Sequence, residues 1–181
     1  MEDVTAVLIT REKEYPSIVL ERLTCCDFFQ DIIIVTECPS VYHRYLAAKK
    51  ATTEHIFILD DDALVNFQVL WESYDKVRIT NAMPKPFIDK YKNLGCTLLG
   101  WGAFFPKHLL SCFDKYIERY GVDQTLLREA DRIFSAMNPN WNVIQLPHED
   151  LFQDETRKGV QPNHYDSMNE ALKKVQMLRL D

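Results

Sequence analysis

Ile56-Phe57-Ile58-Leu59-Asp60-Asp61-Asp62-Ala63-Leu64-Val65 decides how this chain is read. Four apolar residues run into three consecutive carboxylates, and an apolar run then resumes. The first four read as a strand buried on both faces, as in a parallel sheet flanked by helices. Three acids at the end of such a strand are costly if dry and unpaired. A divalent cation with oxygen ligands would neutralise them. The alternative is an acidic turn, solvated or capping the next helix.

Upstream, Val4 to Thr10 is β-branched and apolar and reads as a first strand, with Thr10-Arg11 emerging at its end. Tyr15-Pro16-Ser17 opens a helix. Asp31 to Thr36 is a second buried strand, ended by Glu37-Cys38-Pro39. Ser40 fits an N-cap for a helix over Val41 to Ala51, with Val41, Tyr45 and Ala48 on its apolar face and Arg44, Lys49 and Lys50 elsewhere. Strand, helix, strand, helix, strand implies right-handed crossovers and a parallel sheet. Ligands bind such sheets beyond the carboxyl ends of the strands. Thr10-Arg11, Thr36-Glu37 and Asp60-Asp61-Asp62 should therefore share one rim.

Downstream, residues Asn66 to Trp71 form a short helix or turn, and Asp75 to Thr80 alternates like an edge strand. Met83-Pro84-Lys85-Pro86 reads as a loop. Cys96 to Pro106 is strand-like with a Gly100-Trp101-Gly102 interruption, a bulge or a close approach of backbone or ligand. Pro106 to Tyr120 is an amphipathic helix ended by Gly121, and Asp123 caps the next, which carries Glu129, Asp131 and two arginines. Trp141 to Pro147 is a further strand. A polar loop follows from His148 to His164, and Ser167-Met168-Asn169-Glu170 fits a capping box before a last helix.

The 181 residues suit one domain. Hydrophobic residues make up 46% and charged residues 27%, ordinary for a globular protein. The net charge of −6 argues against a broad phosphate-binding surface. No apolar run reaches the roughly 20 residues of a membrane span. The acidic start is unlike a signal peptide, and the five cysteines are odd in number with no Cys-x-x-Cys spacing. A cytoplasmic protein with reduced thiols is the expectation.

These pieces together resemble the GT-A glycosyltransferases, in particular the family-2 group and the exostosin-type enzymes, which show an Asp-Asp-Asp after an apolar strand. The likeness runs from Val4 to Leu180, with matching letters only in short segments. It implies an α/β fold with a mainly parallel sheet, in one domain with a nucleotide-binding half over 1–66 and an acceptor and catalytic half over 67–181. It also implies transfer of a sugar from a nucleotide-sugar donor to an acceptor hydroxyl on a glycan, a protein or a modified nucleic-acid base such as a hydroxymethylpyrimidine. By resemblance, Asp62 binds Mn²⁺ or Mg²⁺ directly, and Asp60 contacts the ribose or reaches the metal. Asp61 is the least engaged of the three. Thr10, Arg11 and Glu37 border the nucleotide, and Arg44 and Lys49 are the basic residues that precede the motif. Gly100, Trp101 and Gly102 floor the space between donor sugar and acceptor, where Trp101 stacks on a sugar ring or belongs to the core. His164 is a late metal ligand, with His148 its rival.

The family's general base is an Asp from a Glu-Asp pair at a helix start. Here the pair is split as Glu129-Ala130-Asp131, so Asp131 is the expected base and Glu129 the fallback. A salt-bridged helix face is the alternative for both, with Arg128 and Arg132 at hand. Two other functions fit the same acids: a nucleotidyltransferase, although Thr10-Arg11-Glu12-Lys13 has no glycine for a phosphate loop, and a binding domain without catalysis.

Overall fold

A computed structural model describes residues 3–10, 17–37, 40–146, 149–150 and 164–180. The strands are β1 (Val4–Ile9), β2 (Phe29–Val35), β3 (His55–Asp60), β4 (Ala63–Leu64), β5 (Thr80–Met83), β6 (Ala103–Pro106), β7 (Asn142–Gln145) and β8 (Glu149–Asp150). The helices are α1 (Ser17–Thr24), α2 (Tyr42–Lys50), α3 (Phe67–Glu72), α4 (Lys85–Leu94), α5 (Cys112–Tyr120), α6 (Gln124–Met137) and α7 (His164–Leu180). Six strands form one sheet in the order β2-β1-β3-β6-β5-β7. β1 pairs parallel with β2 and β3, β5 pairs parallel with β7, and β6 runs antiparallel between β3 and β5.

The central strand behaves as its composition requires. Ile56 and Ile58 face one core with Tyr45, Phe105, Phe113 and Phe134, under α2, α5, α6 and α7. Phe57 and Leu59 face the other core with Phe28, Phe67, Leu70 and Phe104, under α1 and α3. Successive side chains of a strand point to opposite faces, so only a run apolar at every position can serve two covered faces.

Several elements differ from the sequence reading. Residues 75–79 form a loop. The strand is β5, which begins five residues later at Thr80, and it lies between β6 and β7, away from the sheet edge. Val77 and Ile79 suggested alternation, but Asp75 ties this loop to itself by accepting from Val77 N at 3.2 Å and from Arg78. Pro84 and Pro86 do not make a loop. They occupy the cap and the first turn of α4, where a missing N–H has no helical partner to lose. Strand pairing in the Gly-containing stretch begins only at Ala103, and the helix after Pro106 opens with a 3₁₀ turn over Lys107–Ser111. The N-cap of α2 is Val41, one residue after Ser40, whose Oγ is hydrogen-bonded to His43 Nδ1 at 2.7 Å. Ser167 does not cap α7, which begins at His164, and its hydroxyl donates to Glu129 instead. The cap expected at Asp123 is present, its side chain accepting the N–H of Leu126 at 2.7 Å, and Asn66 caps α3 in the same way, accepting from Val69 at 3.1 Å.

Candidate active site

The parallel strands β1 and β3 end side by side, with Ile9 opposite Asp60. Because β6 is antiparallel to β3, its N-terminal approach reaches the same rim, and Asp60 N donates to Gly100 O at 2.8 Å. A Cβ on Gly100 would lie 2.0 Å from Asp60 Oδ2, so a larger residue fits here only by displacing that carboxylate. Gly102 has φ 108°, the left-handed region, and packs on Phe57 and Val65. The Gly-x-Gly thus seats the loop against Asp60. Between the glycines Trp101 is half-buried, its ring 5.1 Å from that of Phe87 on α4.

Arg44 joins the acids. It is only 2% exposed, a correction to its sequence placement off the buried face of α2. Its Nη2 donates to Asp60 Oδ1, and its Nη1 lies 3.7 Å from Asp131 Oδ2. Burial alone would lower the guanidinium's proton affinity, but Asp131 and Asp60 outweigh it and keep Arg44 charged. Its Nε and Nη1 have no hydrogen-bond partner among the described residues. Asp60 pays for its crowding: desolvation raises its carboxyl to about 6, opposed by Arg44 and reinforced by Asp131 and Asp62. About a third of its side chain, 37%, still meets solvent.

Asp131 comes from the middle of α6. Its Oδ1 accepts from the Tyr45 hydroxyl at 2.7 Å and its Oδ2 from Leu99 N at 3.3 Å. The helix is broken at Glu129, where φ and ψ are −116° and 24°, so Asp131 stands near the start of the second helical segment. Glu129, two residues away, faces other partners. It is 2% exposed, ion-paired with Arg132 and bonded by Ser167 of α7. Arg132 also reaches the Tyr91 hydroxyl at 3.4 Å. Glu129 therefore belongs to the contact between α6 and α7.

The remaining sequence candidates divide clearly. Thr10 is buried at the rim, its N–H on Val35 O at 2.9 Å. Asp61 and Asp62 are half-buried beside Asp60, and Glu37 is exposed after β2 with φ 49°. Lys49 is not at this rim. It pairs with Asp114 at 2.6 Å and lines a cavity with His55 and Pro106, at the opposite end of β3. Five residues of helix rise about 7.5 Å, enough to carry it toward the other end of the sheet. Arg11, His148 and the side chain of His164 lie outside the described residues.

Sequence reasoning missed Tyr45 and Leu99 N. Tyr45 sits in an apolar stripe where its ring alone explains it, and a backbone N–H carries no sequence signal.

A divalent ion fits this rim. Asp62 stands close enough to Asp60 to raise its proton affinity, a repulsion a cation would relieve. Among the described residues no three His, Cys, Asp or Glu side chains gather as a complete cage. Mg²⁺-type sites need none, since one or two carboxylates share the ion with water and substrate phosphates.

No protein-family model matches the chain, and no curated protein matches it. Solved structures do. Staphylococcus aureus TarS 1–349, in complex with UDP-GlcNAc, aligns over 100% of this chain and 67% of its own with TM-score 0.62 and 13% identity. Mycobacterium tuberculosis glucosyl-3-phosphoglycerate synthase, in complex with Mg²⁺ and UDP, covers 98% of this chain and 79% of its own, with TM-score 0.55 and 9% identity. The Pyrobaculum calidifontis mannosyltransferase PcManGT, in complex with GDP-Man and Mn²⁺, covers 97% and 73%, with TM-score 0.52 and 17% identity. The chain has the GT-A fold of these transferases. At such identities the shared property is the architecture, and the chemistry rests on the rim residues.

Proposed function

We propose that this protein is a metal-dependent, inverting glycosyltransferase that moves a sugar from a nucleotide-sugar donor to an acceptor hydroxyl. The observation that carries this reading is the line Asp60–Arg44–Asp131. It sets a carboxylate of the Asp-Asp-Asp run and a helix carboxylate on one buried cation, at the rim where ligands of such sheets bind. The solved neighbours add support: one complex holds Mg²⁺ with UDP, one holds Mn²⁺ with GDP-Man, and one holds UDP-GlcNAc.

Asp62 and Asp60 would hold the ion, which supplies positive charge to the departing diphosphate. Asp131 takes the proton of the acceptor hydroxyl as that oxygen forms its bond to the anomeric carbon. The bond from that carbon to the diphosphate oxygen breaks, and the nucleoside diphosphate leaves with the electron pair. Of the two acids on α6, Asp131 is the base because Glu129 is spent on Arg132 and Ser167. Thr10 and Glu37 border the nucleotide. Gly100 to Gly102 floor the sugar, with Trp101 as its stacking face.

A thermal-shift screen with UDP, GDP, ADP and dTDP and their sugars tests this reading, run with Mn²⁺, with Mg²⁺ and with chelator. The expected result is a metal-dependent rise in midpoint for one nucleotide and its sugars. Transfer is then followed as release of nucleoside diphosphate. Release of pyrophosphate would identify a nucleotidyltransferase, and no shift in a folded sample would leave a fold without this chemistry.

A further inference from the structure

Asp131 is held from three directions, and two of its holders are neighbours on α2. From the donor grip of Tyr45 on Oδ1 and the contact of Arg44 with Oδ2, we infer that Tyr45 is a positioning residue for the reaction, fixing the Asp131 carboxylate while Arg44 sets it against Asp60. The inference rests on the glycosyltransferase reading and adds a residue to it.

The Tyr45 hydroxyl has little freedom. The residue is fully buried, and its ring lies 4.9 Å from Phe113, 5.1 Å from Phe134 and 6.4 Å from Phe105. Three elements, α5, α6 and β6, thereby fix where the phenol oxygen sits. The core would accept a phenylalanine of nearly the same shape without requiring any acceptor. With the hydroxyl present, burial demands a partner, and Asp131 is the one it has. Burial, then the charge of Asp131, holds the phenol well above its ordinary pKa, so it remains a donor throughout the working range. An oxygen of a carboxylate that accepts one such bond keeps a second lone pair for an acceptor proton. Leu99 N holds the other oxygen from the segment that leads into Gly100, so the grip also registers the base against the floor of the site.

The test uses the whole chain with Mn²⁺ and with UDP-glucose, UDP-N-acetylglucosamine and GDP-mannose, reading release of nucleoside diphosphate to water. Tyr45→Phe is expected to lower kcat roughly tenfold to hundredfold, the scale of a small misplacement of a catalytic group, and to leave the donor KM within about twofold. Tyr116→Phe is the control. It removes a buried phenol that also donates to a carboxylate, Asp123 at 3.3 Å, but at a helix cap away from the rim. It should lose stability and keep kcat. A second variant places 3-fluorotyrosine at position 45, a stronger donor of nearly the same shape. It should fold as the wild type and move the acid limb of the kcat–pH profile downward. Tyr45→Phe with wild-type kcat, or a fluorotyrosine variant with an unmoved acid limb, overturns the positioning role. The second result decides even where Tyr45→Phe does not fold. A folded wild type that releases no nucleoside diphosphate from any of the donors overturns the reading beneath, and the role with it.

Discussion

The two ends of the sheet carry charge in opposite ways. At the amino end of β3, a cavity of about 750 Å³ is lined by Lys49, His55, Lys107, His108 and Asp114, among others. Charges there have simple partners near water. Lys49 and Asp114 pair at 2.6 Å with side chains 32% and 67% exposed, and Lys107 Nζ donates to the Ala51 carbonyl at 2.5 Å. Such pairs are worth at most about 1 kcal/mol. At the carboxyl end, a buried arginine stands between two aspartates, two of its nitrogens lack hydrogen bonds among the described residues, and Asp60 carries a proton affinity lifted to about 6. A sheet needs no such concentration of like charge to fold. Local arrangements that work against stability are expected where a ligand completes them.

Substitutions can break this contrast in order of effect. Asp62→Ala should lower turnover on the order of a thousandfold and abolish the metal-dependent part of the nucleotide thermal shift. Asp114→Asn at the opposite rim should leave both unchanged. Asp131→Asn should lower kcat by about a hundredfold while the nucleoside diphosphate still binds, which separates the base from the metal carboxylates in a binding titration. Gly100→Ala should destabilise the fold by about 1 to 3 kcal/mol, because its Cβ can be seated only by displacing the Asp60 carboxyl, and should weaken Mn²⁺ binding with it. A denaturant series with and without metal reads both effects.

The smallest effect is a pH slope. The folded-state pKa of Asp60, about 6, lies above its ordinary value of 3.8, so the folded protein binds more protons than the unfolded chain between those limits. Its favourable contribution is complete below about pH 4 and is lost as pH rises through 6. In metal-free solution, Asp60→Asn should flatten that part of the stability profile. Mn²⁺ should raise the midpoint more at pH 7 than at pH 5, where protons compete for the same oxygens.

The legible parts of the site were those written in consecutive letters. Asp60 to Asp62 after an apolar strand, the two glycines and the capping Asp123 each announce themselves, since a backbone constraint or a charge at a strand end forces the residue type. Lys49 and Arg44 looked equivalent because both are basic residues of one helix. The packing of α2 along the sheet buried one at the carboxyl end and left the other half-exposed at the amino end. Glu129 and Asp131 looked like a pair, and a break in α6 gave them separate neighbours. Ser167 matched a capping box in every letter. It became a partner of Glu129 because α7 starts a turn earlier and lies on α6.

The sequence by itself determined the alternation of strands and helices, and hence the sheet and the rim that carries the acids, although β2, read as buried, is a half-exposed strand at the sheet edge. Those follow from periodicity and from the cost of burying polar groups, which act over a few residues. Only the tertiary structure decided that β6 enters antiparallel and brings Gly100 against Asp60, that Arg44 is a buried bridge, and that Asp131 is gripped by Tyr45. Each of these joins residues far apart in the chain. The side chain alone does not choose its partner; the packing of α2, α6 and the sheet around a common core does.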